Sequence, residues 1–235
     1  MGESPAAPHR AIRSFVIRAG RMTAAQARAL ATLWPRYGID YAERPLDLRA
    51  VFGRAAPVTV EIGFGNGAHL AARAQAEPER DFLGIEVYPP GVGALLVAAG
   101  AHAPGNLRII RHDAVDVFRT MLPPASIDEI QVLFPDPWHK KRHHKRRLIQ
   151  PEFVDLLATR LVPGGRLHLA TDWEPYAEHM LAVLAGCRLL ENTVTTGSYA
   201  GNPRLRDSTR FERRGARLGH VTRELVWRRI RAALQ

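Results

Sequence analysis

The chain predicts an α/β fold: a mostly parallel sheet with helices on both faces. Strand-like and helix-like segments alternate from about Pro57 to Thr171, a glycine-rich turn follows the first strand, and acidic residues recur where successive strands end. The length of 235 residues suits one α/β domain with a short appendage. At 46% hydrophobic the chain can bury a core, which excludes a disordered polypeptide. No apolar run approaches the roughly eighteen residues of a membrane span, so no membrane partner is expected.

Residues 1–21 read as a flexible basic arm, with Arg10, Arg13, Arg18 and Arg21 spaced along it, and 22–235 as the single domain. Its first stretch, Met1 to His9, has no apolar core region and does not read as a signal peptide. Met22 to Trp34 has helical spacing, with Thr23 as N-cap and Pro35 as its stop. Val58 to Ile62 is strand-like and Gly67 to Glu77 helical; Phe82 to Val87 is a second strand and Pro89 to His102 a second helix. Leu107 to Arg111 is the third strand, a short helix runs to Leu122, and Ile127 to Phe134 is the fourth strand. Pro151 opens a helix whose stripe is Phe153, Leu156, Leu157 and Leu161. Pro163-Gly164-Gly165 then turns the chain into a fifth strand, Arg166 to Thr171. Cys187 is the lone cysteine, which rules out an internal disulfide and fits a reducing cytoplasm. It sits in an apolar stretch and reads as a plain buried thiol.

In such a sheet ligands bind beyond the C-terminal strand ends. The first strand ends Glu61-Ile-Gly63-Phe-Gly65-Asn-Gly67, where glycines let backbone approach a ligand and turn into a helix. The turn alone fits a nicotinamide dinucleotide or S-adenosylmethionine. The acid beside it suits a cationic ligand end better than a pyrophosphate, which favours S-adenosylmethionine. Glu86, at the second strand end, can accept both ribose hydroxyls, and Asp113, at the third, an adenine amino group. The fourth strand delivers Phe134-Pro135-Asp136-Pro137-Trp138, a carboxylate between two prolines that fix φ. A rigid acceptor of that kind suits guanine, which presents N1–H and the N2 amino group side by side.

The net charge of +10 points to a polyanionic partner. Lysine occurs only at Lys140, Lys141 and Lys145, inside the run His139 to Arg147, which holds six fixed positive charges and three histidines. Following directly on Asp136, the run reads as a phosphate grip, with Lys140, Arg142, Lys145, Arg146 and Arg147 as its cations. His139, His143 and His144 lack Cys or carboxylate partners at ligand spacing, so no metal is expected. Asp172 is a further carboxylate at the end of the fifth strand. Glu212, among arginines, is either a surface ion pair or a base contact.

With these pieces in line, the chain resembles the bacterial tRNA (guanine-N7)-methyltransferase family. Pro-Asp-Pro-Trp followed by the basic run is the most specific match, and the likeness extends from Arg13-Ser-Phe-Val to Leu218-Gly-His220. The resemblance implies a Rossmann-like class I methyltransferase with a mostly parallel seven-stranded sheet and S-adenosylmethionine as cofactor. It implies a cofactor half at about 57–125, tRNA-binding elements at about 136–147 and 197–220, and guanine 46 of the variable loop as target. Cofactor contacts are implied at Glu61, Glu86, Asp113 and Asp136, with Asp136 as the active-site residue. Lys140, Asp172 and the segment Thr209, Arg210, Phe211 and Glu212 are implied on the tRNA side. Two positions depart from the pattern: His144 stands where the family often has Asn, and Arg210 where it often has Lys.

N7 of guanine carries an in-plane lone pair and no proton, so transfer needs orientation and a compatible field rather than a general base. That chemistry predicts acceptor carboxylates without a Cys or His nucleophile. A nicotinamide oxidoreductase, a non-catalytic RNA-binding module and a methyltransferase for another RNA atom or a protein are the competing readings. No Tyr-Lys or His-Asp arrangement supports the first, and a degenerate module would have lost its strand-end acids. A cytoplasmic monomer or homodimer is expected.

Overall fold

Helix α1 (Ala24–Tyr37) begins in the computed structural model at a capping box, with Thr23 Oγ1 accepting from the Gln26 amide and Gln26 Oε1 accepting from the Thr23 amide. The structure describes residues 13–16, 20–102, 104–194, 199–200, 209, 212, 215 and 219–230. Pro35 does not stop α1; the helix runs through it to Tyr37. Only the last turn lies beyond Pro35, and packing outweighs the lost amide: Tyr37 is fully buried, its hydroxyl 3.4 Å from the Ala99 carbonyl oxygen.

The chain continues through β1 (Gly38–Ile39), α2 (Leu48–Phe52), β2 (Val58–Ile62), α3 (Ala68–Ala76), β3 (Asp81–Ile85) and α4 (Pro89–His102). There follow β4 (Leu107–Ile110), α5 (Ala114–Thr120), β5 (Ile127–Leu133), a 3₁₀ segment (Lys141–Arg146) and α6 (Pro151–Arg160). β6 (Leu161–Thr171), α7 (Glu174–Gly186), β7 (Leu190–Asn192) and β8 (Arg223–Arg229) complete it. The strands form one sheet in the order β1-β4-β3-β2-β5-β6-β8-β7, parallel from β1 to β6 with β8 antiparallel to both neighbours.

The sheet therefore has eight strands rather than seven. The additional one is β1, two residues laid along β4 through the pairs Gly38↔Ile109 and Ile39↔Ile110, too short to leave a periodic signature. Pro163-Gly164-Gly165 also behaves differently from the expected turn. It lies within β6 as a bulge: Ile127 pairs with Leu161 but Glu129 with Arg166, and Gly164 takes φ 85°.

Side chains alternate across the sheet. Val58, Val60, Ile62, Leu83 and Ile85 pack with Phe118, Phe153 and Tyr176 on one face, while Phe82 and Ile109 pack with Tyr37, Leu70 and Leu95 on the other. Each fully buried side chain of this size contributes on the order of 2 kcal/mol, so the strands are held rigidly. Cys187 is buried in the first cluster, where burial pushes its thiol up to about 11, leaving it protonated and inert at neutral pH. The strand order reverses between β2 and β5. That switch point opens the crevice where a ligand can enter.

Candidate functional site

A cleft of about 200 Å³ lies over the switch point, lined in part by Gly63, Glu86, Asp113 and Asp136 from beyond β2, β3, β4 and β5. The turn after β2 places Gly63, Gly65 and Gly67 at φ 70°, 59° and 71°, the left-handed region that favours glycine. Gly67 is the N-cap of α3, and the space above Gly63 and Gly65 is open to 4 Å. Beneath the turn lies Gly91 of α4, whose missing side chain leaves room for the Gly65 carbonyl oxygen. Sequence reading passed over Gly91, since nothing in Pro89-Pro90-Gly91 signals contact with a turn 26 residues earlier.

Glu86 holds this turn to β3. Its Oε2 accepts from the Gly65 amide at 3.0 Å and its Oε1 from the Val87 and Tyr88 amides at 2.7 and 3.0 Å. Burial pushes its carboxyl above the usual range; the three amides draw it partly back, and Asp136 adds repulsion. Asp113 caps α5 by accepting from the Val115 amide at 3.0 Å, and burial raises its carboxyl too, with Arg13 opposing the rise. Two partly desolvated acids facing one cleft favour a ligand that brings hydroxyls, amino groups or positive charge. Glu61 lies differently. It is buried, absent from the lining, and its Oε2 sits 3.1 Å from His69 Nδ1 on α3.

The N-terminal segment takes part in the cleft. Ser14 and Phe15 line it, and the Ser14 carbonyl oxygen accepts from Trp138 Nε1 at 3.0 Å. His112 lines it as well, stacked on Tyr41 with ring centres 3.7 Å apart. Neither contact carries a sequence signal, because both join segments distant along the chain.

Asp136 projects at the surface from a segment bracketed by two strained residues, Phe134 at φ 55° and Trp138 at φ 47°. Each costs on the order of 1–2 kcal/mol for a side chain with a Cβ. With Pro135 and Pro137 fixing their own φ, the carboxylate is held in place by the backbone. The following run forms the 3₁₀ segment. Lys140, Lys141, Arg142 and Lys145 are exposed; Arg146 stacks over Trp138 at 4.5 Å, and His143 meets that indole edge-on at 5.8 Å. Desolvation and then the neighbouring cations Arg142, Arg146, Lys140 and Lys145 hold the His143 imidazole below its ordinary value.

Arg147 does not join the exposed grip. It is 4% exposed, donates from Nε to the Pro137 carbonyl oxygen at 3.0 Å and from Nη2 to His144 Nε2 at 3.2 Å, and lies 4.8 Å from the Tyr176 ring. It is a brace for the Pro-Asp-Pro-Trp turn. Arg147→Met is expected to cost about 2 kcal/mol, roughly 5 °C in Tm for a chain of this size, while leaving intact the salt dependence of the polyanion binding expected of the basic run. Lys140→Gln should do the reverse, lowering the slope of log K against log salt by about one. Thermal melts and binding at several salt concentrations separate the two; a flattened slope for Arg147→Met would return it to the grip.

Beyond β6, Asp172 Oδ2 lies 3.0 Å from His220 Nδ1, and a Cβ on Gly215 would stand 3.1 Å from that same oxygen. Thr209 and Glu212 bond reciprocally, the Thr209 amide to Glu212 Oε2 at 3.2 Å and the Glu212 amide to Thr209 Oγ1 at 3.1 Å. This is the capping-box pattern, which neither sequence reading of Glu212 included. Arg210 and Phe211 lie outside the described residues. Among the described residues no group of His, Cys, Asp and Glu could hold a metal ion, and no helix is long and apolar enough to cross a membrane.

Comparison with known proteins agrees with this architecture. A family described as "Putative methyltransferase" matches residues 55–225. A tRNA (guanine-N(7)-)-methyltransferase of Thiobacillus denitrificans is 56% identical over 93% of this chain and 95% of its own. One of Sodalis glossinidius is 55% identical over 93% of this chain and 91% of its own. Among solved structures, the 16S rRNA methyltransferase KamB superposes with a TM-score of 0.58 at 18% identity, covering 78% of this chain and 93% of that one. That last likeness is one of fold, the Rossmann-like methyltransferase sheet. Near-full-length identity above one half, together with strand-end acids gathered at the switch point, shows that the chain belongs to the tRNA (guanine-N7)-methyltransferase family.

Proposed function

We propose that this chain transfers a methyl group from S-adenosylmethionine to N7 of guanine 46 in the variable loop of tRNA, in the cytoplasm. The observation that carries the reading is the adjacency of an acid-lined cleft to a ledge of exposed cations. Asp136 belongs to the first and Lys140, Lys141, Arg142 and Lys145 to the second, within one short stretch of chain.

The cleft fits the cofactor. The open space above Gly63 and Gly65 admits a ligand against bare backbone, and the raised carboxyls of Glu86 and Asp113 gain from hydroxyl and amino donors. In this reading Glu86 takes the ribose hydroxyls, Asp113 the adenine amino group, and Glu61 sets a negative field behind the turn for the ammonium end. The bound cofactor supplies an electrophilic methyl on a sulfonium. Transfer would form the C–N bond at N7 as the donor's C–S bond breaks, leaving the positive charge on the purine and no proton to move, so this chain's residues need supply only orientation and field. Asp136 orients the acceptor; Asp172, Thr209 and Glu212 border the base, and the exposed cations hold phosphates. The base is drawn from a loop, where unstacking costs less than in a duplex.

Tritiated S-adenosylmethionine and bulk tRNA, followed by nucleoside analysis, should yield labelled 7-methylguanosine. A tRNA carrying 7-deazaguanine at position 46 should take up no label, because the attacking lone pair is gone. Continued labelling would move the target to another atom or another guanine.

A further inference from the structure

Phe15 lines the cleft beside Asp136, while Trp138 and Trp173 stand on the loops that follow β5 and β6, outside its lining, and the three are not equally engaged. Trp138 is occupied on several sides: its indole N–H donates to the Ser14 carbonyl, Arg146 covers its ring, and His143 meets it edge-on. Trp173 is different. It is 38% exposed, and its one ring contact among the described residues is His139, at 4.4 Å and 82°.

The backbone of Trp173 is also fixed in position. As the N-cap of α7 it donates its amide to Thr171 Oγ1 at 3.2 Å, and its carbonyl oxygen accepts from the Tyr176 and Ala177 amides, both at 3.0 Å. The Phe134 amide bonds to the Ala170 carbonyl oxygen at 2.8 Å, so the loop bearing Asp136 and the loop bearing Trp173 leave adjacent strands side by side. Asp172 precedes Trp173 on the same loop, its carboxylate 3.0 Å from His220 Nδ1.

We propose that Trp173 is the stacking residue for the target guanine, with an indole face that favours the base more as it becomes cationic. The inference rests on the reaction given above. Methylation at N7 turns a neutral purine into a purinium, and an electron-rich ring holds a cation over its face better than the neutral base. The gain grows toward the transition state, so it appears in the rate of transfer more than in binding. Asp136 and Asp172, on the two loops, contribute negative charge beside a run otherwise crowded with cations.

The test compares Trp173→Phe, Trp173→Leu and Trp173→Ala in single-turnover methylation at saturating tRNA, with cofactor affinity and thermal melts measured in parallel. Phenylalanine is expected to keep the rate within a few-fold of the parent. Leucine and alanine should lose roughly ten- to a hundred-fold, with cofactor affinity unchanged. Leucine preserves apolar bulk and removes the π face, so the Phe–Leu gap reports stacking, which a purely structural role would not produce. That gap decides the matter even if the alanine variant folds poorly. Leucine matching phenylalanine, or every variant matching the parent, would overturn the proposal while leaving the methylation reading intact. If the parent protein makes no 7-methylguanosine, both fall together.

Discussion

Asp136→Ala is expected to lower single-turnover methylation of tRNA by at least about 10²-fold, the order lost when an acceptor is no longer held in attacking geometry. Stability should scarcely change, because Asp136 is exposed and its segment is shaped by Pro135, Pro137, Arg147 and the Trp138–Ser14 bond. Asp136→Asn makes the sharper test. A carboxylate can accept from both guanine N1–H and the N2 amino group, whereas an amide accepts with its oxygen and presents donors to donors with its nitrogen. Asparagine should therefore be nearly as impaired as alanine, a pattern that steric disturbance would not give. Near-normal turnover in both variants would remove Asp136 from the reaction.

The same logic explains why strain is retained there. Two non-glycine residues in the left-handed region cost stability, and that cost persists only where the surroundings determine the conformation. Here the buried guanidinium of Arg147 bonds to the Pro137 carbonyl and braces the turn from beneath. A methyl transfer with no proton to move depends on placement and field, so a rigid acceptor serves it better than a mobile base.

Much of this was legible in the sequence because it is local. Val58-Thr-Val-Glu-Ile62 running into three glycines specifies a strand and a left-handed turn, and Thr23 followed by Gln26 specifies a helix start. Glu86, Asp113 and Asp136 were legible as rim residues because strand ends in a parallel sheet converge on one crevice, and all three line it. Contacts made across the fold were not legible. Ser14 against Trp138 spans 124 residues, and Tyr41 on His112 joins two loops with no shared pattern. Arg147 reads as one more cation in a basic run; that it is turned inward onto Tyr176 depends on where α7 passes. Pro35 was misleading because propensity yields to the packing of Tyr37, and Pro163-Gly-Gly because a bulge and a turn draw on the same residues.

Gly91 gives the most severe case of a residue whose role is invisible until the chain folds. In an unconstrained helix, Gly→Ala stabilises by nearly 1 kcal/mol. At Gly186, at the end of α7, an added Cβ meets nothing within 4 Å, and Gly186→Ala should hold or raise Tm. At Gly91 the same methyl would stand 2.2 Å from the Gly65 carbonyl oxygen and 3.2 Å from its carbon. Backbone cannot swing aside as a side-chain end can, so the glycine turn must retreat by roughly 1 Å, and a displacement of that size costs on the order of 10²-fold at a reacting centre. The shift also pulls the Gly65 amide from Glu86 Oε2, leaving a buried carboxylate with one fewer donor. Gly91→Ala is therefore expected to lower Tm where Gly186→Ala does not, and to weaken S-adenosylmethionine binding at least tenfold by calorimetry. Cofactor affinity equal to the parent's would mean that the turn does not depend on this contact.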